Sequence, residues 1–192
     1  TLSARATVQG AGGEKADRRP FVSADAPALT LQRSAAVVLR SPGRDWDSLR
    51  ALIPAALNTT LSGHPLVGVE IPDFGGSDPA LGRRWTGLAA TFPLSVGRFE
   101  LANDSPMLTP EFKKTLTAAM QRRYRLIPYY YSLCFDAFFR CEPIMRPLFL
   151  ADPSNPTLRG RDDAFMLGTD LLVVPRLSEA AEDAACPLTG RW

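Results

Sequence analysis

The sequence feature that most limits the possible fold is the stretch from Arg122 to Leu177, which begins RRYRLIPYYYSL and ends FMLGTDLLVVPRL. Its first part has apolar residues at helical spacing, whereas its later part holds two short apolar runs, PIMRPLFL and FMLGTDLLVV, joined by a polar connection. These patterns are typical of a helix and of strands, respectively. We therefore expect a helical layer followed by a small β domain, and we divide the chain into residues 1–140 and 141–192.

Upstream of residue 122, short apolar runs alternate with helical patterns. Ser34–Leu39 and Pro65–Ile71 have the composition of buried strands, and Arg19–Val22 predicts a shorter one. The run RRWTGLAATFPL predicts a short helix that leads into a last strand. Strands and helices in alternation favour an α/β fold with a parallel sheet. Because the strands are too few to close a (β/α)8 barrel, the pattern predicts part of one.

Two helices have clear start signals. Asp45 precedes a helical face of apolar residues and predicts an N-cap, and Thr109 followed by Pro110 predicts a second N-cap with proline in the first helical position. Pro128 lies inside this second helix and should kink or break it. The piece from Tyr129 to Arg140 carries aromatic residues on several sides, so we expect it to be buried.

Charge and hydropathy exclude several classes of function. The formal net charge is only +2, and the densest basic cluster, Arg122, Arg123 and Arg125, lies inside an apolar helix pattern. The sequence therefore predicts no nucleic-acid partner and no phosphate contact from that cluster. No apolar run approaches the ~20 residues that span a bilayer. Because the chain begins at Thr1 without a methionine, we expect a fragment or a processed chain.

The three cysteines predict neither a disulfide framework nor a metal site. Cys134 and Cys141 are seven residues apart in a helical pattern, a rise of about 10 Å that is too long for a disulfide bridge. We expect these two side chains to behave as small apolar residues. The sequence contains no spacing typical of a metal site and indicates no cofactor.

Five segments occur in a consistent order between residues 18 and 177: RRPFV, DWDSLRALIPAALNTTLSGHPLVGVEI, RRYRLIPYYYSL, PIMRPLF and DDAFMLGTDLLVVP. In their order and in their residues they resemble glycoside hydrolase family 31, in particular its glucosidase II α-subunit group. The resemblance implies strands five to eight of a (β/α)8 TIM barrel, followed by the beginning of a β-sandwich domain. It also implies that the nucleophilic carboxylate, at the end of strand four, lies outside this chain.

The resemblance bears directly on the acid/base residue. A retaining glycosidase needs two carboxyl groups about 5–5.5 Å apart, one as nucleophile and one as acid/base. The family carries its acid/base aspartate in a Trp-x-Gly-Asp-Asn segment. Counted back without gaps from Trp46, this segment falls on residues 38–42, with Val38 at the substrate-contacting tryptophan and Ser41 at the aspartate. The resemblance thus implies a missing acid, because a serine cannot protonate a leaving oxygen near neutral pH.

Other pocket positions implied by the resemblance also differ. The family's strand-five arginine, which binds sugar hydroxyls, falls on Asp25. The aspartate of its Asp-x-Gly-Gly-Phe segment falls on Glu70, with the two glycines at Pro72 and Asp73. The sugar-contacting histidine after strand eight falls on Arg98. We therefore expect a substrate pocket whose hydrolytic residues have been lost while the framework was kept.

Three further polar features favour structural roles. Asp45 is the one carboxylate that could act as a displaced acid, although its place before a helix favours an N-cap. His64, the only histidine, lies at a helix-to-strand turn and predicts a loop residue. Asp162 and Asp163 match a family pair for which the resemblance implies a structural role.

The sequence leaves three functions open. The first is an α-glucosidase-like fragment with a degenerate site, serving as a scaffold, subunit or carbohydrate-binding chain. The second is an active α-glucosidase completed by the missing half of the barrel, and the third is a non-enzymatic part of a larger assembly.

The resemblance also implies partners and a compartment. The partners are an α-glucan or N-glycan oligosaccharide, the remaining half of the barrel in the same or another chain, and a β-subunit or larger assembly. The compartment is the endoplasmic reticulum lumen or the secretory pathway. Of the two glycosylation sequons, the one at Asn103 is the better acceptor because it lies in an irregular connection.

Overall fold

In the computed structural model, residues 2–14, 20–74, 78–97, 108–180 and 186 are described. Within these ranges the helices are α1 (Leu2–Glu14), α2 (Trp46–Leu61), α3 (Pro79–Ala89) and α4 (Pro110–Arg140). The strands are β1 (Ser23–Ala24), β2 (Ala36–Leu39), β3 (Val67–Ile71), β4 (Leu94–Gly97), β5 (Met145–Pro147), β6 (Phe165–Leu167) and β7 (Leu171–Val173). No helix in the described ranges combines the length and apolar character that a membrane crossing requires.

The first four strands form one parallel sheet in the order β1-β2-β3-β4. The strands predicted around residues 34–39 and 65–71 are confirmed as β2 and β3. The strand predicted at Arg19–Val22 is wrong in its described part, because pairing with β2 begins only at Ser23 and Phe21 is 68% exposed. The sheet has helices between its strands, as the alternating pattern predicted.

The last three strands form a separate antiparallel sheet in the order β5-β6-β7. The predicted change from an α/β layer to a β layer is therefore confirmed. Gly168 makes the turn between β6 and β7 with φ +58, and a Cβ there would lie only 2.6 Å from the Tyr129 hydroxyl oxygen. The close approach of α4 to this turn requires a glycine.

Both predicted helix starts are confirmed. The Asp45 side chain accepts a hydrogen bond from the Ser48 amide, and the Thr109 hydroxyl accepts one from the Phe112 amide. The helix does not break at Pro128, because α4 runs without interruption from Pro110 to Arg140, and a kink at this position stays a prediction. A single proline removes one amide donor, and the bonds of the neighbouring turns hold the helix together.

The predicted burial of the second part of α4 is also wrong. The buried residues of α4 are Phe112, Ala119, Tyr130 and Leu133, whose spacing defines one narrow stripe. Large apolar side chains lie exposed on other sides of the helix, and we call them the aromatic face: Tyr124, Ile127, Tyr131, Phe135, Phe138 and Phe139. The sequence showed that the helix is aromatic, but only packing decided which aromatic residues are covered.

One continuous core joins the two sheets. We call the region where α4, the segment before β4 and the antiparallel sheet meet the seam. Phe92, just before β4, meets Phe165 of β6 edge to face with ring centroids 6.0 Å apart. The Tyr129 hydroxyl donates to the carbonyl of Leu167 at 2.7 Å. The Arg123 guanidinium donates to the carbonyls of Phe92 and Pro93 at 2.6 and 2.7 Å. The seam is therefore apolar in its interior and carries satisfied polar contacts at its margin.

Candidate functional site

The carboxyl ends of the four parallel strands lie at one edge of the sheet, which is where barrels of this kind bind substrate. Asp25 follows directly after β1, and Arg40 and Ser41 follow directly after β2. Glu70 is the penultimate residue of β3. The structure thus brings three of the residues singled out from the sequence, Asp25, Ser41 and Glu70, to the same edge.

Strand register places the pocket positions on a common face. Val38 pairs with Gly68 across β2 and β3, and paired residues of neighbouring strands point the same way. Two residues further along each strand are Arg40 and Glu70, which therefore share that face. Val38 is buried. Gly68 is required for close packing, since a Cβ there would lie 2.7 Å from the Leu94 Cβ.

Arg40 connects the ends of three strands through two ion pairs. Its Nη2 lies 3.2 Å from the Asp25 carboxylate, and its Nε lies 3.4 Å from the Glu70 carboxylate. The exposed fractions of the three side chains are 49% for Arg40, 60% for Asp25 and 18% for Glu70. We call this arrangement the Arg40 bridge. Its guanidinium lies between two carboxylates at the carboxyl edge of the sheet.

Ser41 lies beside the Arg40 bridge and carries a hydroxyl group in the position where the resemblance implied the acid/base aspartate. Its Oγ is buried and has no hydrogen-bond partner within the described ranges. A buried hydroxyl can donate or accept a hydrogen bond, but it does not supply a proton at neutral pH.

Asp45 is fixed as the N-cap of α2. Its Oδ1 accepts a 2.7 Å hydrogen bond from the Ser48 amide. That bond, together with one from the Ser48 side chain, holds the pKa of the Asp45 carboxyl below its ordinary value. A general acid needs the opposite shift, because it must keep a proton at neutral pH. The geometry therefore favours the capping role.

Two arginines of the loop after β2 were not assigned a role from the sequence. One is Arg40, and the other is Arg44, whose guanidinium donates to the Asp73 carbonyl at 2.6 Å. The loop after β2 is thereby tied to the loop after β3. A signal for Arg40 existed in the sequence: strand alternation places it on the face of Val38, at the end of an apolar run.

The remaining polar residues lie apart from this edge. His64 is buried in the turn before β3, and its Nδ1 has no partner among the residues that the structure describes. Asp163 accepts two hydrogen bonds from Arg161, at 2.7 and 3.0 Å, in the connection before β6. Arg98 and Asn103 lie outside the described residues. Within those residues no three Cys, His, Asp or Glu side chains are grouped to hold a metal ion.

Comparison with known families accounts for both sheets. The model of the glycosyl hydrolases family 31 TIM-barrel domain matches residues 1–133, and that of the family's C-terminal domain matches residues 141–192. The chain belongs to glycoside hydrolase family 31. Its parallel sheet is a fragment of the family's barrel, and its antiparallel sheet is consistent with the start of the following sandwich domain.

Individual members of family 31 are similar over most of this chain. An α-glucosidase of Hordeum vulgare is 33% identical over 100% of the chain, which spans 22% of that protein. A lysosomal α-glucosidase of Rattus norvegicus is 34% identical over 72% of the chain, corresponding to 15% of that protein. The crystal structure of a family 31 α-glucosidase from Bacteroides thetaiotaomicron superimposes with a TM-score of 0.83, at 30% identity over 97% of this chain and 32% of that one. The chain thus spans about a fifth of the length of the curated relatives it matches.

Proposed function

We propose that this chain is an α-glucosidase-like barrel segment whose own hydrolytic site is degenerate, and that it serves as a scaffold or as a carbohydrate-binding chain. The observation that carries the proposal is the Arg40 bridge with Ser41 beside it. A glycosidase with two carboxyl groups needs one of them to give its proton to the leaving oxygen. Here the position expected for that acid holds a hydroxyl group.

The carboxylates that do lie at the edge support the same proposal. Asp25 and Glu70 each direct a carboxylate oxygen at the Arg40 guanidinium. Both negative charges are therefore paired with the same cation between the strand ends. Charged and hydrogen-bonding side chains of this kind can hold sugar hydroxyls without cleaving a bond. The neighbouring carboxylate Asp45 is occupied as a helix cap.

Hydrolysis of an aryl α-glucoside by the full-length protein tests this proposal. We expect release of the phenol at the buffer rate, with no change in Ser41→Ala or in Asp45→Asn, which keeps the cap. Hydrolysis by the unaltered protein that disappears in Asp45→Asn and persists in Ser41→Ala would overturn it. Titration with maltotriose then separates the two roles, since saturable binding that is lost in Arg40→Met indicates carbohydrate binding at the bridge.

A second candidate function, contact with the remaining half of the barrel in the same or another chain, is favoured by the aromatic face. Tyr124, Ile127, Tyr131, Phe135 and Phe138 follow one another at spacings of three and four residues, which defines one side of a helix. Within the described ranges this side is exposed to solvent. A contiguous apolar surface of this kind is typical of an interaction site.

The outer strands of the parallel sheet also favour contact with the remaining half of the barrel. Within the described ranges β1 pairs only with β2, and β4 pairs only with β3. Each outer strand therefore presents unpaired backbone groups, which a closed barrel would satisfy.

Co-purification of the chain with a separately expressed preceding half-barrel is the test. We expect Phe135→Asp with Phe138→Asp to abolish co-purification and Tyr124→Phe to leave it intact. Equal recovery with the double variant and with Tyr124→Phe would contradict the idea.

The division of the chain and its compartment are further parts of the proposal. The boundary between residues 140 and 141 is supported by the end of α4 and the left-handed backbone of Cys141, φ +56. Residence in the secretory pathway, of which the endoplasmic reticulum lumen is one compartment, is supported by the similarity to a lysosomal α-glucosidase. A mobility shift on glycan removal that is absent from Asn103→Gln would support that compartment, and a protein without glycan would argue against it.

A further inference from the structure

The geometry points to a second binding site, for a small molecule that carries a phosphate or sulfate group, in the cavity between α3, α4 and the segment after β7. The cavity has a volume of about 430 Å³. None of the residues that line it belongs to the Arg40 bridge or its loops. The site is therefore independent of the proposed function.

The positive charge of the cavity lining favours an anionic ligand. Four arginines from three separate elements line the cavity: Arg83 and Arg84 of α3, Arg122 of α4, and Arg176 after β7. Glu179 is the one carboxylate among the described lining residues. Like charges from separate elements repel one another, so an anion between them lowers the electrostatic energy. Guanidinium groups bind the planar and tetrahedral oxygen arrays of carboxylate, sulfate and phosphate through paired hydrogen bonds.

Three of the four guanidinium groups are available to bind an anion. Arg83, Arg84 and Arg122 form no ion pair with a carboxylate within the described ranges. Arg123, the neighbour of Arg122, is different because its guanidinium donates both of its hydrogen bonds to carbonyl groups at the seam. In the basic cluster of α4, for which the sequence predicted no phosphate contact, Arg123 is thus structural, Arg122 lines the cavity and Arg125 does neither.

The shape of the cavity defines the rest of the ligand. Between the arginines lie apolar residues of the barrel and of the antiparallel sheet, among them Leu88, Val173, Val174 and Pro175. A cavity with apolar walls and a few converging polar groups is typical of a site for a small organic molecule. We therefore assign it to a phosphate or sulfate ester whose organic part rests on these walls.

Calorimetric titration of the full chain with phenyl phosphate, phenyl sulfate and inorganic phosphate tests the assignment. We expect phenyl phosphate to bind more tightly than inorganic phosphate, because only the ester reaches the apolar wall. In Arg83→Gln with Arg122→Gln the Kd should rise at least about tenfold. The matched control is Arg33→Gln with Arg125→Gln, which removes the same charge and includes an arginine of the α4 cluster that does not line the cavity. Equal affinity in both double variants would overturn the site.

A measurement that needs no variant covers the possibility that the altered chain does not fold. Phenylglyoxal modifies accessible arginines, and mass spectrometry locates the modified residues. Phenyl phosphate should slow the modification of Arg83 and Arg122 at least several-fold and leave that of Arg125 unchanged. Absence of protection would show that the ester does not occupy the cavity, and equal protection of Arg125 would show that it binds the surface without selectivity. Either result would overturn the site. The stronger protector of the two esters identifies the preferred oxyanion.

Discussion

The seam and the strand edge of the same barrel fragment are built in opposite ways. At the seam, Phe92 and Phe165 are buried, and Arg123 donates at short distances to two carbonyl groups. At the edge, Arg40 and Asp25 are about half exposed, and the ion-pair distances are longer. Buried apolar contacts dominate stability, whereas exposed ion pairs contribute little. Substitutions at the seam should therefore cost much more stability than substitutions at the strand edge.

The largest loss of stability should follow from removing a buried aromatic ring at the seam. Phe165→Ala removes a fully buried ring and its contact with Phe92, which costs about 3–5 kcal/mol of the free energy of unfolding. Urea denaturation followed by circular dichroism measures this loss. Phe138→Ala is the matched control, because Phe138 lies on the exposed aromatic face. A loss at position 165 no greater than that at position 138 would mean that the seam does not hold the two sheets together.

A smaller loss should follow from removing the polar margin of the seam. Arg123→Met keeps the length of the side chain but leaves the carbonyls of Phe92 and Pro93 without their donor. Hydrogen bonds from a charged donor are worth about 1.5–3 kcal/mol, so we expect a loss of about 2–3 kcal/mol in the same assay. Double-mutant cycles with Phe165→Ala would show whether the two contacts act as one unit. Unchanged stability would indicate that water replaces the guanidinium.

Alkaline pH provides a test of the seam without removing a side-chain contact. Burial raises the pKa of Tyr130 to about 12, against an opposing contribution from the Arg123 cation 5.4 Å from its ring. The folded chain keeps this proton to higher pH than the unfolded chain, so the free energy of unfolding should fall by about 2 kcal/mol as the pH rises from about 10 to about 12. Stability is unaffected by this group below the ordinary pKa. Tyr130→Phe should flatten the profile, and Tyr131→Phe, at an exposed position, should not.

The sequence predicted the framework because local signals and burial agree there. The apolar runs of β2 and β3, and the caps Asp45 and Thr109, each depend on a few neighbouring residues, and they form as predicted. The exposure of the aromatic face could not be predicted in this way, since residues at several helical positions are equally apolar. Only the packing of α4 on one stripe decides between them.

The candidate site was predicted only in part, for a related reason. The resemblance directed attention to Asp25, Ser41 and Glu70, and strand register brings all three to one edge. The Arg40 bridge was missed because its two carboxylates are distant from Arg40 in sequence. An ion pair between strand ends becomes visible only once the register of the sheet is known.

The smallest effect on stability should come from the strand edge. Arg40→Met makes the same chemical change as Arg123→Met, but it removes the ion pairs of a half-exposed guanidinium to Asp25 and Glu70. Exposed pairs contribute about 0–1 kcal/mol, so the loss in urea should stay within about 1 kcal/mol and shrink further at high salt. A loss as large as that of Arg123→Met would show that the bridge fixes the strand ends as firmly as the seam fixes the sheets. In that case the bridge would be a structural element of the barrel, and its occupation of the pocket edge a consequence of that role.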